Sequence, residues 1–236
     1  MKRIIELIYE IRNKYPEDDF FADFESSCKI SQTKKTHYRL YNKALMTLDV
    51  ASWNILKTKS LQHYMDHRKG QRKQGFFNQL NEAFAYRYLF GSGVSNVRLI
   101  QEGKASMPDI GYTCNGIQMY CEVKSLGISN DEIVRRRGNV VYNGAVHAKL
   151  DNGFINKFCD AVKQARRQIG ALGPDGLVYL IVHLDDITLD YYRTYRKQLI
   201  DTCRKNGFDN LFIKIGLFGN KRIRITQRSA QLVVIT

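Results

Sequence analysis

The chain has 236 residues, of which 44% are hydrophobic and 25% are charged, an ordinary balance for a globular protein built on one α/β core with elaborations. Lys and Arg number 37 against 23 Asp and Glu, which gives a net charge of +14 and predicts a polyanionic partner. Five cysteines without a C-x-x-C pair argue against a disulfide framework or a zinc knuckle, and no run approaches the roughly 20 apolar residues of a membrane span. These features together predict a cytoplasmic protein.

Residues 1–74 are predicted to form a helical, basic N-terminal region. Apolar residues at helical spacing predict a first helix that ends near Pro16, and they are Ile4, Leu7, Ile8 and Ile11. Residues 17–37 mix acids and aromatics before a polar, basic stretch, and for the acids a solvated face is favoured over a cation site. Residues 57–73 hold six Lys or Arg against one acid, which predicts a helical arm that contacts phosphates. His63 and His67 have a metal-compatible spacing, but exposed histidines beside phosphates are the favoured interpretation.

Residues 75–236 are predicted to form the second domain, which begins with a helix over residues 76–90. An apolar stripe defines that helix, and its members are Phe77, Leu80, Phe84 and Tyr88. Glu82 lies off this stripe. A strand over residues 94–101 follows, and Glu102 near its end is a reserve metal ligand, although a plain turn residue is the favoured interpretation.

Two alternating runs between Met107 and Leu126 predict a β-hairpin. Asn115-Gly116 joins them, and this pair favours a type I′ turn because both turn residues need a positive φ. A two-residue turn pairs Asp109 with Glu122 and places both on the same face as Lys124. The other face is predicted to be core, and it carries Ile110, Tyr112, Cys114, Ile117, Met119, Cys121 and Val123.

The opposed carboxylates Asp109 and Glu122 predict a metal site. Their Cβ atoms would lie roughly 5 Å apart, and at an effective dielectric of about 20 the repulsion is on the order of 3 kcal/mol. A bridging divalent cation such as Mg²⁺ would reverse the sign of that energy, since it binds carboxylate oxygens and keeps waters that a phosphate can displace. Lys124 would then reach the attacking water or the scissile phosphate. The trio predicts a site for phosphodiester hydrolysis.

A long polar segment without clear periodicity follows Leu126 and runs to Gly153. It contains Arg135, Arg136 and Arg137, which predict phosphate contacts in a functional loop, with a solvated charge run as the alternative. Six further elements are expected in order, and they are a helix over 154–169, a doubly buried strand over 177–182, a helix over 189–206, and short strands over 211–215, 222–225 and 231–235.

Pro108-Asp109 and, after a spacer, Glu122-Val123-Lys124 resemble the signature of the PD-(D/E)xK nuclease superfamily. The resemblance implies an α/β (α+β) fold with a restriction-endonuclease-like core, in which a central mixed β-sheet is flanked by helices in the order αβββαβ. The elements predicted over residues 75–185 follow that order. The resemblance also implies that Asp109, Glu122 and the backbone carbonyl of Val123 hold Mg²⁺ or Mn²⁺.

The same resemblance implies roles for side chains on the two core helices. A glutamate of the first core helix often approaches the metal in this superfamily, so Glu82 is a candidate catalytic residue. The alternative is a surface carboxylate bonded to Tyr86. Basic or glutamine residues of the second core helix lie near the site in some members, which makes Lys163 and Gln164 candidates for nucleic-acid binding, together with Arg167.

The sequence therefore predicts a Mg²⁺- or Mn²⁺-dependent endonuclease that hydrolyses DNA phosphodiester bonds. One alternative is a catalytically silent nucleic-acid-binding module with the same fold, and another is a nuclease directed at RNA. Cleavage of both strands of a duplex would be served by a homodimer or a larger nucleoprotein assembly.

Overall fold

The structure is a computed structural model that describes residues 1–67, 72–103, 106–127, 134, 138, 148–173, 175–184, 190–216 and 218–226. Within those residues the protein is α+β, with seven helices and six strands in one mixed open sheet. None of these helices has the length and apolar composition to cross a bilayer. The Arg135–Arg137 run and the strand predicted over 231–235 lie outside the described residues.

The helices and strands have the following bounds. The helices are α1 Lys2–Lys14, α2 Phe24–Ile30, α3 Gln32–Leu45, α4 Val50–Gln62, α5 Gln74–Phe90, α6 Asn152–Gly170 and α7 Tyr192–Asn206. The strands are β1 Ser95–Leu99, β2 Ile110–Cys114, β3 Ile117–Leu126, β4 Gly176–Val182, β5 Leu211–Ile215 and β6 Lys221–Ile225. The predicted order of one helix, three strands, one helix and one strand is observed in α5, β1, β2, β3, α6 and β4.

The strands lie across the sheet in chain order, β1 to β6. β1 pairs with β2 in antiparallel orientation, β3 with β4 and β4 with β5 in parallel, and β5 with β6 in antiparallel orientation. The parallel pairs need crossover connections, and α6 and α7 provide them. The sheet is therefore mixed, as predicted.

The chain divides into two compact units. Unit 1 comprises residues 1–105 and 109–118, and unit 2 comprises residues 106–108 and 119–236. The predicted domain boundary between residues 74 and 75 stays a prediction.

Unit 1 buries the aromatic residues of its N-terminal segment. α1 packs through Ile4, Leu7, Ile8 and Ile11, as predicted, and ends at Lys14 before Pro16. The rings of Phe21, Tyr64 and Phe76 contact one another with centroids 5.6 to 6.1 Å apart. The expected solvated acidic face is wrong for Asp18, because its carboxylate accepts hydrogen bonds from the Tyr64 hydroxyl and the buried Lys73 ammonium.

α5 is buried on more than one side. The predicted stripe is incomplete, since Leu80 is buried while Phe77, Phe84 and Tyr88 are only partly so. The most buried side chains lie elsewhere on the helix, and they include Phe76, Ala83, Ala85 and Leu89. The buried surface is wider than the stripe because the helix packs against both α3 and α4, which cover a wide arc of it.

Unit 2 has its core between α6, α7 and one face of the sheet. Val178, Leu180 and Val182 of β4 pack there with Phe158 and Val162 of α6. The other face of β4 is also buried, because Tyr179 stacks on Phe212 of β5 with centroids 5.1 Å apart. The prediction of a strand buried on both faces is therefore confirmed.

Candidate functional site

The hairpin turn consists of Asn115 and Gly116 alone, since β2 ends at Cys114 and β3 begins at Ile117. Asn115 has a φ of 51° and Gly116 a φ of 80°. Positive φ at both positions is what a type I′ turn requires, and Asn and Gly reach it at low steric cost. The predicted two-residue turn is confirmed.

β3 does not separate a core face from a solvated face in the predicted way. Glu122 is only 3% exposed, which makes it almost as buried as its neighbour Cys121, whereas Ile117 is 65% exposed. The expected core position of Ile117 is therefore wrong. β4 pairs with β3 only from Tyr120 onward, so the first residues of β3 extend past it.

In unit 2, Lys124 lies between Glu122 and Gln168. Its Nζ atom is 2.7 Å from Glu122 Oε1 and donates a hydrogen bond of 2.6 Å to Gln168 Oε1. Glu122 and Lys124 are two residues apart in β3 and meet, so their predicted common face is confirmed. Gln168 also donates from Nε2 to the carbonyl of Met107 at 3.5 Å. The largely buried Lys124 ammonium is thus held in position by the Glu122 carboxylate and the Gln168 amide.

Gln168 is the residue of α6 that sequence reasoning missed. It lies one turn beyond the predicted Gln164 and next to the core residue Ile169. This helical spacing was the feature of the sequence that could have indicated its position. Lys163, Gln164 and Arg167 are all exposed on α6. Their roles in nucleic-acid binding stay predictions.

In unit 1, a buried lysine lies among three carboxylates. Lys59 Nζ is 2.7 Å from Glu82 Oε1, 3.3 Å from Glu102 Oε1 and 3.5 Å from Asp109 Oδ1. The side chains of Lys59 and Glu82 are each 5% exposed, and that of Asp109 is 17% exposed. We call these four residues the Lys59 cluster.

The cluster corrects two expectations about its members. The surface interpretation of Glu82 is wrong, because Glu82 is buried against Lys59, and the Tyr86 hydroxyl donates to Asp49 instead. The expectation that Lys59 contacts phosphates as part of a basic arm is wrong as well. Lys59 follows Ser52 and Leu56 at i+7 and i+3 on the buried side of α4, a signal that its basic neighbours obscured.

The carboxylates keep Lys59 charged. Burial alone would lower the pKa of the ammonium, but the charges of Glu82 and Asp109 more than offset this, so the pKa lies above its ordinary value. Asp109 is held as well through its backbone, since its carbonyl accepts a hydrogen bond of 2.8 Å from the N–H of Ile100, just after β1. The cluster therefore places a buried positive charge beside Asp109, whose backbone is held at the end of β1.

The candidate metal ligands fit a hard cation by their chemistry. Mg²⁺ is usually bound through one or two carboxylates, with waters and substrate phosphate completing its shell, and Asp109 and Glu122 supply such oxygens. A metal site built from protein side chains alone is not observed in the described parts of the chain, because no three His, Cys, Asp or Glu side chains there are arranged to hold a metal ion. His63 instead pairs with Asp66 at 2.6 Å.

Several cations of the predicted basic arm have carboxylate partners inside unit 1. Lys57 pairs with Glu10 at 2.8 Å and with Glu6 at 3.4 Å, and Arg72 pairs with Asp19 at 2.5 Å. Lys73 pairs with Asp18, as described above. These positive charges are paired with carboxylates in unit 1, whereas the sequence predicts that they contact phosphates.

α3 carries a different set of cations. Its sequence contains no acid, and Lys35, Arg39 and Lys43 follow one another at intervals of four residues. Arg39 and Lys43 are exposed and Lys35 is half-buried, and within the described residues none of the three forms an ion pair. Residues four apart lie on one side of a helix, so the three form a basic stripe.

Comparison with known proteins identifies no relative of this chain. No protein-family model, no curated protein and no solved structure matches it. What the chain does must therefore be inferred from its own residues and their geometry.

Proposed function

We propose that the protein is a Mg²⁺- or Mn²⁺-dependent endonuclease of the PD-(D/E)xK type that hydrolyses DNA phosphodiester bonds on a restriction-endonuclease-like core. The observation that carries the proposal is the position of Lys124, which is held between Glu122 and Gln168. A lysine with two fixed partners presents its remaining N–H bond in a defined direction. Such preorganisation is what stabilisation of a developing negative charge requires.

The roles follow from the chemistry of each group. Asp109 and Glu122 would bind the cation through carboxylate oxygens, together with the backbone carbonyl of Val123. The cation, when bound, supplies Lewis-acid activation of phosphate and water. Lys124 would orient the attacking water and stabilise the charge that develops on the phosphate. Gln168 would keep the Lys124 ammonium in place by accepting its hydrogen bond.

The test is cleavage of plasmid, linear and single-stranded DNA, and of RNA, with Mg²⁺, with Mn²⁺ and with a chelator. Wild type should cut DNA only with a divalent cation, and Asp109→Asn should lower the rate about 100-fold or more, a loss typical of removing an electrostatic contributor. Asp160→Asn, which changes an exposed acid of α6, should cut like wild type.

Two other outcomes would replace the proposal. Metal-independent binding of DNA without cleavage by wild type would favour the catalytically silent module. Cleavage of RNA in preference to every DNA substrate would favour the RNA-directed nuclease. A homodimer or larger nucleoprotein assembly stays a prediction.

The basic stripe of α3 predicts how DNA binding responds to salt. Each phosphate contact contributes a slope of about −0.9 to a plot of log affinity against log salt concentration for duplex DNA. Replacing Lys35, Arg39 and Lys43 together by Gln should therefore weaken binding. The magnitude of the slope should fall by up to the contribution of about three phosphate contacts. Fluorescence anisotropy with a labelled duplex at several salt concentrations measures both quantities.

Lys57→Gln is the matched control for the stripe, because the Lys57 ammonium already pairs with Glu6 and Glu10. It should leave the salt slope unchanged. A triple variant with the wild-type slope would show that α3 does not contact the DNA backbone.

A further inference from the structure

Lys59 is a buried cation that has no role in the nuclease chemistry proposed for Asp109, Glu122 and Lys124. Its three carboxylate contacts are unequal. The 2.7 Å distance to Glu82 is that of a charge-assisted hydrogen bond, whereas the 3.5 Å distance to Asp109 is that of an ion pair without a short hydrogen bond. Glu82 therefore anchors Lys59, and Asp109 is held less tightly.

We propose that Lys59 is a positioning residue that holds the Asp109 carboxylate in the metal-free protein and competes with a divalent cation for it. The inference rests on the proposed function in one respect, namely that Asp109 is a metal ligand. Lys59 supplies Asp109 with a positively charged partner 3.5 Å away. Two cations beside one carboxylate repel each other, so the metal must overcome the lysine charge.

The burial of Lys59 makes this competition effective. An exposed lysine would swing into water when a metal arrived, and water would screen the remaining repulsion. Lys59 is 5% exposed and is fixed by Glu82, so its charge stays close to Asp109. The protein is therefore expected to bind divalent cations more weakly than its carboxylates alone would, and Lys59 would set the metal concentration at which it becomes active.

Loss of the buried Lys59 charge is expected to strengthen the binding of a metal ion. Lys59→Met should lower the dissociation constant for Mn²⁺ about tenfold or more, because the repulsion at Asp109 is removed. Titration calorimetry of the full chain with Mn²⁺ alone measures the constant. Lys57→Met, two residues away on α4 with partners Glu6 and Glu10, should bind Mn²⁺ like wild type.

Further variants separate positioning from a merely structural role. Lys59→Arg keeps the charge and should restore the wild-type constant. Combining Lys59→Met with Asp109→Asn should abolish the gain in affinity, since the gain acts through Asp109. A structural role alone would leave the Mn²⁺ constant unchanged or make it larger, and either result would overturn the proposal.

A second pair of variants applies if Lys59→Met does not fold. Glu82→Gln removes the anchor charge, and Lys59→Met combined with Glu82→Gln leaves no unpaired member of the buried pair. The double variant should bind Mn²⁺ about tenfold more tightly than Glu82→Gln alone. Equal constants for these two proteins would overturn the proposal.

Failure of this inference can be told apart from failure of the proposed nuclease. Metal-dependent DNA cleavage by wild type, with Mn²⁺ constants that do not respond to Lys59, would overturn only the role of Lys59. Mn²⁺ binding that is the same in wild type and Asp109→Asn, together with no cleavage, would overturn both.

Discussion

Lys124→Met is expected to abolish most divalent-dependent cleavage, with a loss of about 1000-fold in rate. Groups that transfer protons or stabilise charge in the transition state contribute roughly 100- to 10,000-fold, and Lys124 is proposed to orient the water and stabilise the phosphate charge. The variant also leaves the buried Glu122 carboxylate without the ammonium 2.7 Å away, so folded protein must be quantified by circular dichroism before rates are compared. Single-turnover cleavage of a labelled duplex gives the rate.

Lys205→Met is the control for Lys124→Met, since Lys205 is exposed on α7 and belongs to the same unit. Its cleavage rate should stay within about twofold of wild type, as is usual for a surface substitution. Folded Lys124→Met with the wild-type rate would remove Lys124 from the catalytic site.

Variants of Gln168 test whether Lys124 needs the amide that accepts its hydrogen bond. Gln168→Leu removes the acceptor 2.6 Å from Lys124, whereas Asn156→Leu changes an exposed residue nearer the start of α6. The first should lower the cleavage rate and the second should not. Equal rates would show that Lys124 needs no amide partner.

Gly176→Ala is expected to destabilise the fold by about 3 kcal/mol. A Cβ atom at Gly176 would lie 2.2 Å from the backbone oxygen of Tyr120 and 2.8 Å from Ile169 Cγ2. Tyr120 is the partner of Gly176 in the parallel register of β3 and β4, so the clash is with a backbone that cannot turn away. The start of β4 would have to move away from β3. Urea denaturation followed by circular dichroism measures the free energy of unfolding.

Gly170→Ala is the matched control at the end of α6. A Cβ atom there meets nothing within 4 Å, and alanine favours a helical conformation over glycine by up to about 1 kcal/mol. The control should therefore be neutral or slightly stabilising. If both alanine variants unfolded at the same urea concentration, the close approach at Gly176 would not limit stability.

Features encoded by neighbouring residues could be predicted from the sequence. The Asn115-Gly116 turn depends on two backbone conformations that few residue pairs adopt, and the observed φ values match them. The C-terminal end of α7 at Gly207, which has a φ of 62°, is local in the same sense. Such signals do not depend on what packs around them.

Features decided by distant partners were missed. Lys59 stands in a basic run and is expected at the surface, but Glu82, 23 residues later, and Asp109, 50 residues later, make its burial favourable. Asp18 is buried by Lys73 for the same reason. A sequence pattern shows the charge of a side chain but not the carboxylate that will neutralise it.

The path of the chain through its two compact units limits how the protein can be dissected. It crosses from one unit to the other after residues 105, 108 and 118, and the last crossing falls within β3. No single truncation or protease cut can therefore release either unit whole, and a fragment that ended at residue 118 would stop inside a strand. Deletion of either unit would likewise interrupt β3, the strand that carries Glu122 and Lys124.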